Sequence, residues 1–415
     1  MNSTRLSWLR ISRPDTANAG MWAIGAGHAL THTYTAALAL LLPFIANDLR
    51  LTYSQIGLLI AVRQFMSAVV NLPAGMLVDT IGRRHLFMTI ALLGMAVLYF
   101  LLSTTSTFWI MVVCVALGGF GSFLWHPSAI TSISDMYPTR RGYGLAMHEL
   151  GANVGDTLMP VLTGALLGLL TWRQVITLNV AIGVLFGILV LRVIAHARLR
   201  APQAATRTLS PSGYLSGLRA LTRNTNLMIL AVVSGIRSFT QQGLQSFLPL
   251  YLVNELKHPA VVVGAYLSVV QLSGMVATPI AGSLSDRIGP KRVAAVGMLT
   301  TSLALAGFAA IDLGSAFVGA LALVGFFTYS MRPALFRWAI GVAPRQYEGT
   351  TVGALFTTQA MFSTMMPLVG GAIADRVGLI AVFYLIAVAL VIGNLVVLMV
   401  PDLKRPAARE AIPNQ

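Results

Sequence analysis

The sequence predicts an all-α membrane protein, with twelve transmembrane helices in two pseudo-symmetric six-helix bundles. Three observations carry this expectation. Of 415 residues, 56% are hydrophobic and only 10% are charged, whereas an ordinary soluble domain carries about 25% charged residues. Apolar runs of roughly 20 residues, the length that crosses a hydrocarbon core, recur from end to end. The second half also repeats landmarks of the first at an offset of 206 or 207 residues.

The first half places spans at Met21–Ala46, Tyr53–Val78, Leu86–Leu102, Phe108–Met136, Gly142–Leu170 and Val175–Ala195. The first is too long for a cleaved signal, carries two histidines and lacks a cleavage pattern. The second half places spans at Leu227–Val253, Val261–Ser285, Val293–Ile311, Ser315–Val342, Thr350–Ala374 and Leu379–Val400. The organisation expected is a tail over 1–20, a bundle over 21–195, a linker over 196–223 rich in Arg, Thr, Ser and Pro, a second bundle over 224–401 and a tail over 402–415.

The formal net charge of +15 raises the question of nucleic acid, and the placement of the charges answers it. With both termini in the cytoplasm, twenty of the 28 Lys and Arg fall inside, four (Arg50, Arg173, Lys257, Arg376) fall outside, and four (Arg63, Arg237, Arg332, Arg337) lie within spans. This is the positive-inside bias of a plasma (inner) membrane protein, and no nucleic-acid partner is expected. The single cysteine, Cys114, excludes an intrachain disulfide framework or a multi-cysteine metal site. There is no phosphate-binding glycine loop of the ATPase kind, so neither ATP-driven transport nor enzyme chemistry is expected, and no cofactor.

The repeat is most visible in prolines that pair within matching spans: Pro43 with Pro249, Pro73 with Pro279, Pro127 with Pro333, and Pro160 with Pro367. The abundance of Pro and Gly in membrane helices explains their number but not this common register. Two similar bundles can rock about a site at their interface.

Gly75-x-Leu77-x-Asp79-x-x-Gly82-Arg83-Arg84, with a second copy starting at Gly282, resembles the signature between spans two and three of the major facilitator superfamily. The resemblance spans nearly the whole chain and implies the major facilitator fold, a secondary transporter working by alternating access, and one chain sufficient for a pathway. Gly27-His28, Trp125-His126-Pro127 and the string Gly144-Leu-Ala through Gly151-Ala-Asn153-Val-Gly155 to Pro160 are similar to the fosmidomycin resistance protein family of efflux transporters. Two features depart from the drug-efflux pattern. Cys114 and Val115 stand where an Arg often precedes the glycines Gly119 and Gly121, and Gly155 and Pro160 are separated.

The superfamily resemblance implies a cytoplasmic latch in which Asp79 meets Arg83, Arg84 and Asp135. The second copy offers Asp286, Arg287, Lys291 and Arg292, but Gly341 stands where Asp135 has its counterpart. A third similar string, Gly371 to Gly378 with Asp375 and Arg376, falls outside by this topology and is expected to be only a helix end.

Polar side chains inside spans are the candidates for function. A charge at the bilayer centre costs about 2.5–3.5 kcal/mol on the insertion scale, so such groups face a wet cavity or one another. Arg63, Arg237, Gln241, Gln245, His32, Tyr329 and Arg332 are the expected substrate contacts. Four in-span arginines against two in-span acids favour an anionic cargo, because the guanidinium fork pairs with carboxylate, phosphate or phosphonate. Coupling to protons needs a group that changes charge, and Glu149 or Asp156 is expected to supply it, with His28, His32, His126 and His148 as relays. His28 and His32, one turn apart, could share a metal, but two imidazoles do not complete a site and none is expected.

The function expected is proton-coupled efflux of small anionic or polar toxic compounds such as fosmidomycin-like drugs, with lipid and protons as the other partners. The rival is an importer or exchanger of small organic or inorganic anions. A lipid flippase ranks behind both.

Overall fold

The structure, a computed structural model, describes residues 16–137, 140–196, 224–308, 315–343 and 348–402, with backbone only at 16–17, 67, 70–76, 79–80, 120–123, 196, 315 and 348–350. The expected linker and both expected tails fall almost wholly outside the described residues.

Among the described residues twelve α-helices follow one another: α1 (Thr16–Leu49), α2 (Tyr53–Ile81), α3 (Arg84–Thr104), α4 (Phe108–Met136), α5 (Arg141–Leu167), α6 (Trp172–His196), α7 (Thr225–Leu250), α8 (Ala260–Ile288), α9 (Pro290–Ala306), α10 (Ser315–Val342), α11 (Glu348–Val377) and α12 (Leu379–Met399). A single π turn, Tyr251–Glu255, prolongs α7. Nine of the helices are long and apolar enough by themselves to cross a membrane. Of the other three, α9 has only 17 residues and α7 carries Arg237, Gln241, Gln242 and Gln245. Helix α7 is buried almost all round, so its polar residues are surrounded by protein rather than lipid.

Local sequence sets the helix ends. Thr52 and Gln55 form a capping box at the start of α2, satisfying two orphan N–H groups. Asn224 caps α7 through the Leu227 N–H. Gly82, Gly289 and Gly378 have φ of 66°, 95° and 101°, a region that favours glycine. Each follows an aspartate by three positions (Asp79, Asp286, Asp375). All three similar strings therefore end a helix at a glycine of positive φ, the third included.

Within the first half, α1 packs on α5 and α6, α2 on α4, and α3 on α4 and α6; within the second, α7 packs on α11 and α12, α8 on α10, and α9 on α10 and α12. The halves meet through α2 with α11 and α5 with α8. These two seams are repeat mates. A Cβ at Gly57 would run into the Pro367 carbonyl, and one at Gly264 into the Pro160 carbonyl. Both pairs obey the 207-residue offset, and absence of a side chain lets the backbones touch.

Candidate functional site: a histidine cluster facing a buried arginine

Helices α1, α4 and α5 build the first half of the site. Gly151 and Gly155 on α5 lie against the Gly25 and Ala29 carbonyls of α1, so the two helices approach closely. Gly27 leaves room on α1 for the Trp125 ring of α4, which is fully buried. These contacts explain why the glycines and Trp125 accompany histidines in the sequence: they bring three helices together at the imidazoles.

The imidazoles form one cluster. His28 stacks on His148 with ring centroids 3.7 Å apart and planes 10° apart. His32 and His126 stand edge-on to His28 at 4.7 and 4.9 Å. His28 Nδ1 donates to the His148 carbonyl at 2.8 Å, and its Nε2 lies 3.2 Å from His126 Nε2. His32 Nδ1 donates to Asp156 Oδ2 at 3.0 Å. His28 and His148 are buried at 1% and 3% exposure. Asp156 is partly exposed and Glu149 exposed; no salt bridge holds Glu149 among the described residues.

The second half of the site is cationic. Arg237 on α7 is buried at 3% exposure, and its Nε and Nη1 have no hydrogen-bond partner among the described residues. On either side of it, α7 is tied to α11 by Gln359 to Ser234 at 2.6 Å and Ser238 to Ser363 at 2.7 Å. Arg332 and Tyr329 act on it electrostatically. The Tyr329 hydroxyl accepts from Gln245 at 3.4 Å and donates to Gln271. Helix α5, which carries His148 and Asp156, packs against α8 of the other half, which carries Gln271, the partner of Tyr329.

Several expected residues find other surroundings. His32, expected at the substrate, is held by Asp156 in the histidine cluster. Arg63 belongs to the first half, where its stem and backbone carbonyl lie against Gly119 and it borders an apolar cavity with Leu38, Leu59 and Met111. Arg332 is exposed, and its guanidinium carbon lies 6.0 Å from the Phe336 ring centroid. Gln241 is partly buried on α7, one turn beyond Arg237.

At the helix ends on the side of the α2–α3 turn, the side chain of Asp79 lies outside the described residues. Asp135 is bonded by Arg84 rather than by Arg83, which is exposed ahead of α3. In the second copy Asp286 pairs with Arg337 of α10 at 3.0 Å, a contact of opposite polarity to Arg84–Asp135, since Gly341 offers no acid. Lys291 donates to the Leu398 and Val400 carbonyls at 2.8 and 2.7 Å, tying α9 to the end of α12. Arg287 and Arg292 are exposed.

At the opposite helix ends the third string is more than a helix end. Asp375 accepts the backbone N–H groups of Tyr53 and Ser54 at 2.8 and 2.9 Å. It thereby caps α2 from the opposite half, at the end where a helix favours an anion. Sequence reasoning passed over it because the partner helix is distant in the chain. Gln64 and Gln242, joined by a hydrogen bond across the halves, were missed for the same reason.

The fold and this paired site define a membrane transporter, and comparison with known proteins agrees. The Major Facilitator Superfamily profile matches residues 24–280 and 230–414, and the chain belongs to that superfamily. It is a multi-pass membrane secondary transporter for a small-molecule substrate and not an enzyme. Among similar proteins, an uncharacterized MFS-type transporter, YfnC of Bacillus subtilis (strain 168), is 25% identical over 401 residues, covering 92% of each chain. The multidrug resistance protein MdtG of Klebsiella pneumoniae (strain 342) is 25% identical over 365 residues, covering 86% of each. A probable nitrate transporter, NarT of Staphylococcus aureus (strain JH9), is 24% identical, covering 71% of this chain and 72% of its own. Solved structures share the fold. A bacterial homolog of the human lysosomal transporter Spinster, in an inward-facing and occupied conformation, has a TM-score of 0.80 at 16% identity, covering 94% of this chain and 97% of its own. The nucleoside transporter NupG has a TM-score of 0.75 at 14% identity, covering 92% of this chain and 98% of its own.

Proposed function

We propose that this protein exports small anionic or polar toxic compounds, of the fosmidomycin type, in exchange for protons across the plasma (inner) membrane, with both termini cytoplasmic and one chain forming the pathway. The observation that carries the anionic cargo is Arg237, a buried guanidinium with unpartnered N–H donors. A buried charge left without a partner is costly, and an anion arriving between the halves supplies one. Gln241, Gln245, Tyr329 and Arg332 complete the second-half wall, and Arg63 adds positive field from the first. Kinship with MdtG favours efflux of a toxic compound.

Glu149 is the proton carrier in this reading. It is exposed and free of any salt bridge among the described residues, whereas Asp156 is engaged by His32. Asp156, His28, His126 and His148 line its path. The reading also assigns this structure to the inward-facing state. The contacts described between the halves (Asn47–Asn254, Tyr53–Asp375, Gln64–Gln242 and Ser268–Thr157) all lie in the outer half of their helices under the cytoplasmic-termini topology. Inner clamps then form on the return stroke, with Asp79, Arg83 and Arg84 on one side and Asp286 and Arg287 on the other.

A second reading is import or exchange of a small inorganic or organic anion. It rests on the same Arg237, with kinship to NarT on its side. Reconstituted protein decides between them. Uphill export of radiolabelled fosmidomycin driven by inward protons supports the first reading. Anion–anion exchange indifferent to a pH gradient sinks it and leaves the second.

A further inference from the structure

We infer that the histidine cluster of the first half is a binding site for a divalent transition metal ion, with His28, His32 and His126 as ligands through Nε2 and Asp156 as the carboxylate that orients His32. This inference does not rest on the cargo; it shares His28, His126 and Asp156 with the proton path proposed above, and its test reads metal binding alone.

The tautomers follow from the partners. A carbonyl and a carboxylate only accept, so His28 Nδ1 and His32 Nδ1, bonded to the His148 carbonyl and to Asp156, carry the hydrogens. Each neutral ring then presents a lone pair at Nε2. This is the arrangement by which metal sites fix their histidines, one ring nitrogen donating to a carbonyl or carboxylate and the other binding the ion. Here it is present twice, on residues one helical turn apart.

The third ligand sets the distance. His28 Nε2 and His126 Nε2 are 3.2 Å apart. Two nitrogens of a tetrahedral site, each at 2.0–2.1 Å from zinc, stand about 3.3–3.4 Å from one another. Ligand atoms of His28, His32 and His126 all lie within 4.8 Å of one another. Sequence spacing offered two imidazoles, too few for a site; α4 delivers the third from 94 residues further along than His32.

A second observation points the same way. His148 is 3% exposed and its Nε2 is buried without a partner among the described residues. A ligand atom of His148 also joins one each of His28 and Glu149 in a second three-ligand grouping within 4.8 Å. Imidazole ligands suit Zn²⁺, Cu²⁺, Fe²⁺ and Ni²⁺. Three histidines leave a fourth position for water or an anion, and the partly exposed edge formed by His32 and Asp156, 29% and 23% accessible, is the side from which an ion enters.

The test uses untagged full-length protein in detergent, stripped with chelator and titrated with Co²⁺ while visible absorption and equilibrium dialysis are followed. The expected result is one Co²⁺ per chain with the intense absorption of a tetrahedral nitrogen site, displaced by Zn²⁺. His126→Gln and His32→Gln each weaken binding at least tenfold. Asp156→Asn, which removes no ligand, weakens it by about 10–100-fold. His85→Gln, exposed and remote from the cluster, leaves it unchanged. Substoichiometric binding by the unaltered protein overturns the proposal, as does undiminished binding by a folded His28→Ala/His126→Ala double variant or by Asp156→Asn. None of these readouts requires transport.

Discussion

Asn47 donates to Asn254 at 3.1 Å, and the two are separated by 207 residues, the offset of the internal repeat. A residue can touch its own repeat mate only near the axis that relates the copies, so this bond marks where the pseudo-twofold passes between the halves. Gly57 on Pro367 and Gly264 on Pro160 flank it as a symmetric pair. A hinge line with close backbone contacts on both sides suits two rigid bundles that rock about it.

Asp375 ties the two halves at the start of α2, the end that the proposed inward-facing state keeps closed. It caps α2 from α11 with two backbone hydrogen bonds. Removing a charged cap of this kind costs about 1 kcal/mol. Asp375→Ala should therefore shift the balance between states about fivefold toward opening at this end. Spin labels at Thr107 and Val377, exposed and one in each half, in a Cys114→Ala background report it as a larger population of long distances. An unchanged distance distribution means that the seams alone hold the closure.

The bundles were legible in the sequence because lipid imposes a blunt rule: every spanning stretch must be apolar over a full helix length. Phe108–Met136 and Ser315–Val342 emerge with the bounds read from composition alone. The site was legible only as a set of residues. His28 and His32 share a face by helical spacing, but nothing in the chain says that His126 and His148 face them. That juxtaposition depends on how closely α1, α4 and α5 approach. Asp375 was discounted for a related reason: its value lies in a helix terminus from the other half. Single-helix periodicity carries no information about either contact.

Gly155 tests the close approach directly. A Cβ there would crowd the Ala29 carbonyl and the His32 side chain. Overpacking of this kind costs about 1–3 kcal/mol, so Gly155→Ala should lower the melting temperature and abolish transport. Gly94→Ala on α3, where a Cβ meets nothing within 4 Å, should leave both unchanged or raise stability slightly, since alanine is the better helix former. Equal melting temperatures for the two variants would falsify the argument that this glycine sets the α1–α5 distance.

Glu149 separates coupling from translocation. Glutamine keeps its size and hydrogen bonding but cannot change charge. Glu149→Gln should lose at least tenfold in uphill transport driven by a pH gradient, while retaining exchange of labelled for unlabelled substrate at equal pH. Full uphill activity in that variant moves the proton to another group. Loss of exchange as well makes Glu149 a substrate contact instead.

Arg237 gives the sharpest separation of stability from function. Its guanidinium is buried with unpartnered donors, which costs folding energy in the empty protein. A side chain retained only for packing would be missed on removal. One retained to meet an anion should stabilise the empty protein when neutralised. Arg237→Gln is therefore expected to hold or raise the melting temperature without substrate and to lose substrate protection against unfolding. Affinity should fall by about 30-fold or more, corresponding to the roughly 2–5 kcal/mol lost when one partner of a buried charged pair is truncated. Arg237→Lys should recover only part of the binding, because an ammonium cannot reproduce the two-pronged contact of a guanidinium. A fall in melting temperature with binding intact would make Arg237 a structural residue and remove the main support for an anionic cargo.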